Sequence, residues 1–364
     1  SGFNACGTLF SSLFGVDYFT AMIVSAVVIV LYTALGGFLA ASTTDLIQTI
    51  IMTIALIVVL FFGIHMAGGW DAVISSAQSL PGYLSFTQTY DAAAGAASVY
   101  RPITIISTLA WGLGYFGMPH ILLRFMAIED VNKLKTSRRI ASIWVVISMA
   151  IAVLIGVVGN GMIHAGALES IPAADSQRII IKISTLLSSY GVLPAIVAGL
   201  ILSGILAATM STADSQLLAA ASSVTQDLLQ GTFKLKLSNK AAMIIARLTV
   251  ILIAVIGVVW ARNEGSVFTI VSFAWAGFGA AFGPVVLLAL FWKRSNRQGI
   301  LAGLVVGGTM VFVWKFLVAP MGGMFNIYEL LPAFLCALCA IVVVSLLTPA
   351  PEKEITDMFD SYNT

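Results

Sequence analysis

Uninterrupted apolar runs, about nine of them and each long enough to cross a bilayer as a helix, divide this chain and decide what it can fold into. They lie near residues 17–40, 46–67, 103–123, 140–164, 192–213, 241–260, 267–292, 298–318 and 328–348, and a shorter one covers 1–14. The runs are continuous rather than alternating, which selects helices over a barrel. The composition agrees: 59% of residues are hydrophobic and 9% charged, where a soluble domain carries about 25% charged residues. Mean hydropathy is +1.02. The sequence therefore reads as an all-α integral membrane protein with about nine full transmembrane helices and one partial one. It is multi-pass in the cell membrane, with the lipid bilayer as its partner and no nucleic acid.

Alternating the spans across the membrane sorts the 18 basic residues. All but Arg101, Arg178, Lys182, Arg262 and Lys315 fall on one face, which the positive-inside rule makes cytoplasmic. The C-terminus is then inside. Two outer loops, 68–100 and 165–180, are long enough to hold short surface helices. The inner loop 230–240 is a solvated connector. The tail from Thr348 is acidic and proline-bearing and reads as mobile. The domain reading is one transporter domain over 1–348 and a cytoplasmic tail over 349–364. The opening "SGFNACGTLF" has no initiator Met and no signal-peptide pattern, and reads as an N-terminally truncated start inside a helix. Cys6, Cys336 and Cys339 all fall in spans, and the Cys336–Cys339 spacing reads as small buried hydrophobes rather than a redox pair.

Two stretches break the apolar pattern. "WGLGYFGMPH", Trp111 to His120, carries Gly112, Gly114 and Gly117, each costing about 1 kcal/mol in a helix relative to alanine. Pro119 adds a missing N–H and a ring that crowds the preceding turn. An unwound segment at that depth is tolerated only where it is buried in protein or lines a cavity. Discontinuous helices of this kind build midplane sites in secondary transporters. Trp111 and Tyr115, four apart, would share a face if the helix reached that far, covering an apolar ring while donating hydrogen bonds. A kinked packing helix is the alternative. His120 reads as a satisfied buried histidine. A second glycine-rich stretch, 275–284, holds Gly277, Gly279, Gly283 and Pro284 and should bend or thin its helix.

The second polar stretch is "LAATMSTADSQLL", Leu206 to Leu218. Ser211, Asp214 and Ser215 stand at i, i+3 and i+4 on one face, with Thr212 adjacent. Hydroxyls and a carboxylate are hard oxygen donors suited to a small hard cation such as sodium. The Ala208 carbonyl, one turn before Thr212, could join them. Ser and Thr also bond back to their own helix, and Asp214 could lie at the water interface. Asp45 starts the 46–67 span, as an N-cap or as an ion ligand.

Four stretches in order, "LYTALGGFLAASTTDLIQ", "WGLGYFGMPHILLRFMA", "ILAATMSTADSQLL" and "FAWAGFGAAFGPVVL", resemble the sodium:solute symporter family, and most closely its sodium/proline symporters. The resemblance runs to about residue 348. It implies a leucine-transporter-like inverted-repeat fold, with 103–123 as the sixth core helix, 192–213 as the eighth, and the first two core helices before residue 1. It implies that Ser211 and Thr212 bind sodium by their hydroxyls and Ala208 by its carbonyl. Trp111, Tyr115, Pro119 and Gly114 are implied for the substrate, a small molecule, with proline favoured. Asp45 matches an acidic position linked to sodium coupling, and with Ser211, Asp214 and Ser215 it would suit a second sodium. Met118 departs from the glutamine common in such symporters. The expected activity is sodium-coupled import of L-proline by alternating access. A symporter of another amino acid, a carboxylate or a vitamin is the runner-up. A channel would want rings of charge or a carbonyl filter. An enzyme would want a convergent catalytic cluster, and His65, His120 and His164 are isolated.

Overall fold

The computed structural model describes residues 2–262 and 266–363, with backbone only for 36–40, 173, 174, 362 and 363. In chain order the helices are α1 (Gly2–Phe14), α2 (Tyr18–Met66), α3 (Trp70–Ser79), α4 (Pro102–Leu109), α5 (Pro119–Met126), α6 (Leu134–His164), α7 (Ile179–Ser188), α8 (Val192–Ser222), α9 (Asn239–Trp260), α10 (Val267–Phe291), α11 (Arg297–Val313), α12 (Leu330–Leu347) and α13 (Lys353–Asn363). Strands β1 (Gln88–Asp91) and β2 (Ala96–Val99) pair after α3. Among the described residues, 8 helices are long and apolar enough to cross a membrane, or 9 when the bent pair 102–117 and 119–126 counts as one span. The chain divides into two compact units, residues 1–98 with 128–267 and residues 99–127 with 268–364.

In the first unit, α2 carries two apolar windows, Tyr18–Leu35 and Ala41–Met66. Its helical assignment runs on through 41–45, so Asp45 lies inside a helix and does not cap one. The capping is done by Asp17, whose carboxylate accepts from the Thr20 N–H at 2.9 Å and the Thr20 hydroxyl at 3.1 Å. Two apolar clusters bind α2 to its neighbours. Met22, Ala26 and Ile29 pack with Ala213 and Leu217 of α8 and Val250 and Ala254 of α9. Ala55 and Val59 pack with Val158 and Met162 of α6 and Ile183 of α7. Lipid tails are as apolar as leucine, so helices associate in a membrane through close packing and hydrogen bonds. Gly204 of α8 illustrates the first, since a Cβ there would stand 3.0 Å from that of Ala55. The Trp144 indole, donating to Thr53 Oγ1 at 3.0 Å, illustrates the second.

The loop 68–100 holds α3, a short helix as expected, and also a β-hairpin that the sequence reading does not contain. In the second unit, α12 lies along α11 through glycine positions: a Cβ at Gly303 or Gly299 would run into Ile341 or Ser345. The tail, read from the sequence as mobile, carries the helix α13. Lys293 pairs with Asp360, and Arg294 donates to the Thr348 carbonyl at 2.7 Å. Asn296 Nδ2 donates to Thr348 Oγ1 and the Pro349 carbonyl, each at 2.8 Å.

Candidate functional site

The broken span lies in the second unit. After α4 the chain tightens into a 3₁₀ segment, Ala110–Gly117, then straightens at one residue before α5. That residue, Met118, has φ −82° and ψ 109°. A proline that follows drives its predecessor out of the helical region, and Pro119 then serves as the first residue of α5, where its missing N–H costs nothing. The axis bends by 45°. Eight residues of 3₁₀ helix is long for a geometry usually confined to three or four, and such stretches mark hinges. The expected break is therefore present, as a tightened turn plus one extended residue rather than a fully unwound coil.

The tight winding moves the aromatics. With three residues per turn, Trp111 and Tyr115 are offset by about 120° and do not share a face. Trp275 of α10 joins them instead. Its ring stacks on Trp111 at 5.5 Å and meets the edge of Tyr115 at 4.8 Å. Its indole N–H donates to the Trp111 carbonyl at 3.0 Å, so that carbonyl is already occupied. Phe268 also stacks on Trp111, at 5.4 Å. Tyr115 is 45% exposed, which leaves its phenol open to a ligand. Gly114 is buried, and a Cβ there would collide with the Trp275 indole. Gly117 faces α10 as closely: a Cβ would stand 2.7 Å from the Gly283 nitrogen. Gly279 and Gly283 complete this contact, so the glycines of 275–284 thin an unbroken α10 that keeps Pro284 inside it. Met118 is 3% exposed, so its thioether is buried.

The oxygen-rich patch lies in the first unit, on helix α8, which continues past it to Ser222 and then through a π-helical turn to Thr232. Ser211 Oγ lies 3.1 Å and Thr212 Oγ1 3.3 Å from the Ala208 carbonyl oxygen, both hydroxyls donating to it. Each bond runs back along α8 to a carbonyl three or four residues earlier, the bonding that Ser and Thr hydroxyls make within their own helix. Thr212 is exposed and Ser211 half-buried.

Asp214 is fully buried, at 0% exposure, which excludes the interfacial placement. Its carboxylate accepts from the Tyr32 hydroxyl of α2 at 2.8 Å and from Ser215 Oγ at 3.3 Å. The Tyr32 hydroxyl also lies 3.3 Å from the Met210 carbonyl. Asp45 lies on α2, in the same unit. One turn on, Gln48 Oε1 is buried with no hydrogen-bond partner. The structure so joins Asp214 and Ser215. It adds Tyr32, which the sequence did not single out.

The model of the sodium:solute symporter family matches residues 1–307. The chain belongs to the sodium:solute symporter family. The high-affinity proline transporter PutP of Bacillus subtilis is 40% identical over all of this chain and 72% of its own length. The sodium/proline symporter of Haemophilus influenzae is 39% identical over 99% of this chain and 70% of its own. That of Escherichia coli is 37% identical over 99% of this chain and 68% of its own. A solved Na+-coupled sialic acid symporter, in a substrate-bound outward-open state, superposes with a TM-score of 0.73 at 18% identity, covering 96% of this chain and 71% of that one. The fold is the expected leucine-transporter-like one, and the protein is a multi-pass membrane protein.

Proposed function

We propose that this protein imports L-proline together with sodium across the cell membrane by alternating access, its C-terminus in the cytoplasm. The observation that carries the reading is the proline specificity named in relatives 37–40% identical over nearly the whole chain. In this reading residues 1–348 are the transporter and 349–364 a cytoplasmic tail.

Sodium is one of the two cargoes. Ala208, Ser211 and Thr212 hold it, the two hydroxyls turning their protons away from the Ala208 carbonyl so that three oxygens face the ion. Trp111 and Tyr115 supply the aromatic surface and the phenol for the proline ring and its carboxylate. Pro119 and Gly114 set the break and the depth of that surface. Each cargo favours the same state, so each raises the affinity of the other, typically by about 1–3 kcal/mol. An inside-negative potential adds about 2.3 kcal/mol per charge per 100 mV.

A second sodium at Asp45, Ser211, Asp214 and Ser215 is supported by the full burial of the Asp214 carboxylate inside a membrane-crossing helix. Carboxylates in such a setting are costly unless paired or functional. Uptake of radiolabelled proline into proteoliposomes, with and without a sodium gradient, tests the primary reading. No sodium-dependent uptake of proline overturns it, and competition by other amino acids, carboxylates or vitamins then identifies the solute. A sodium-to-proline ratio of one removes the second ion site.

A further inference from the structure

Tyr328 lies in the loop before α12, away from the broken span in sequence, yet it makes three attachments around it. Its backbone N–H donates to Ser107 Oγ of α4 at 3.0 Å. Its hydroxyl donates to the Ser272 carbonyl of α10 at 2.6 Å. Its ring lies 6.1 Å from that of Trp111, within 16° of parallel. The loop that carries it is fixed at both sides. Next to Tyr328, Glu329 is 8% exposed and accepts from Lys315 Nζ at 2.9 Å. That ammonium sits 4.5 Å from the Phe273 ring centroid, and Trp314 Nε1 donates to the Phe325 carbonyl at 3.1 Å.

The Trp111 ring needs such outside support. It stands at the start of a 3₁₀ segment, whose hydrogen bonds have poorer geometry than those of an α-helix. Its two stacking partners on α10, Phe268 and Trp275, come from one element and can travel with it. Among the described residues, Tyr328 alone of its ring neighbours comes from another element and is tied to both α4 and α10. We propose that Tyr328 is a positioning residue for the substrate site. It fixes the Trp111 ring by pinning α4 to α10, and so sets the affinity for the apolar ring of the solute. The identity of that solute rests on the proline reading above.

The proposal separates affinity from turnover. Tyr328→Ala raises the proline KM about tenfold, while Vmax and the half-saturating sodium concentration stay within about twofold. Tyr328→Phe keeps the ring and loses one hydrogen bond, and Ser107→Ala loses another; each raises KM about threefold. Near-ultraviolet circular dichroism of the substrate-free protein carries the coupled signal of the stacked Trp111 and Trp275. Tyr328→Ala weakens that signal and Tyr328→Phe retains it. An unchanged KM and unchanged signal in Tyr328→Ala overturn the proposal, as does a matching rise in the sodium requirement. If Tyr328→Ala does not fold, an unchanged KM in both milder variants overturns it. If the wild type takes up no proline, the proline reading fails by itself, and the substrate-free signal alone decides the role of Tyr328.

Discussion

The oxygen patch of α8 and the break between α4 and α5 offer polar groups in opposite ways. On α8 the backbone stays helical and the side chains supply the oxygen, with Ser211 and Thr212 sharing the Ala208 carbonyl. At the break the side chains are aromatic, and the backbone itself leaves its regular course at Met118. In the proposed reading, the cation takes its oxygens from one turn of an intact helix, and the ring-bearing solute meets a tightened segment packed against an aromatic helix. One chemistry keeps the regular helix and the other departs from it.

Variants can force this comparison apart. The largest effect is expected from Ser211→Ala combined with Thr212→Ala. Each lost hydroxyl removes a contact to a charge, so the sodium needed for half-maximal uptake rises about 100-fold. Proline affinity at saturating sodium then changes little. Proteoliposome uptake across a sodium series measures both, and a parallel loss of the two would erase the distinction. Gly114→Ala comes next, because the added methyl meets the Trp275 indole. Overpacking there costs about 1–3 kcal/mol of stability, read as a lower melting temperature in detergent. An equal melting temperature would mean that α10 yields freely. Trp111→Ala should raise the proline KM about tenfold with the sodium requirement unchanged, the reverse of the α8 pattern.

The smallest effect concerns the start of α2. The Thr20 N–H and hydroxyl hold the Asp17 carboxyl below the usual carboxylate range. A carboxyl lowered on folding stabilises above its unfolded pKa, about 3.9. That contribution disappears as pH falls through the lower folded value. Asp17→Asn should therefore flatten the acid limb of a melting curve measured between about pH 5 and pH 2. A limb as steep as that of the wild type would assign the acid sensitivity to other groups.

Both regions were legible as stretches because their oddity is local. Glycine, proline and hydroxyl residues stand out within an apolar run whatever they touch. Their partners were not legible. Trp275 reaches Trp111 across 164 positions and Tyr32 reaches Asp214 across 182, so no window of sequence holds both members. The choice left open for Asp214 had the same cause, since the Tyr32 hydroxyl that helps satisfy its buried carboxylate comes from another helix. The helix in the tail was hidden by composition: its acidic, proline-bearing sequence resembles disorder, and its contacts to Lys293, Arg294 and Asn296 lie about fifty or more positions away. The hairpin at 88–99 escaped because its strands are four residues each and mostly exposed, with no buried face to impose alternation.

Gly114 and Gly117 lie against Gly279 and Gly283 with no space for one additional carbon. Descendants of this chain cannot explore those four positions one at a time. Enlarging Gly114 asks for a simultaneous reduction at Trp275 and enlarging Gly283 for one at Phe334, so the lineage should carry paired exchanges there or none.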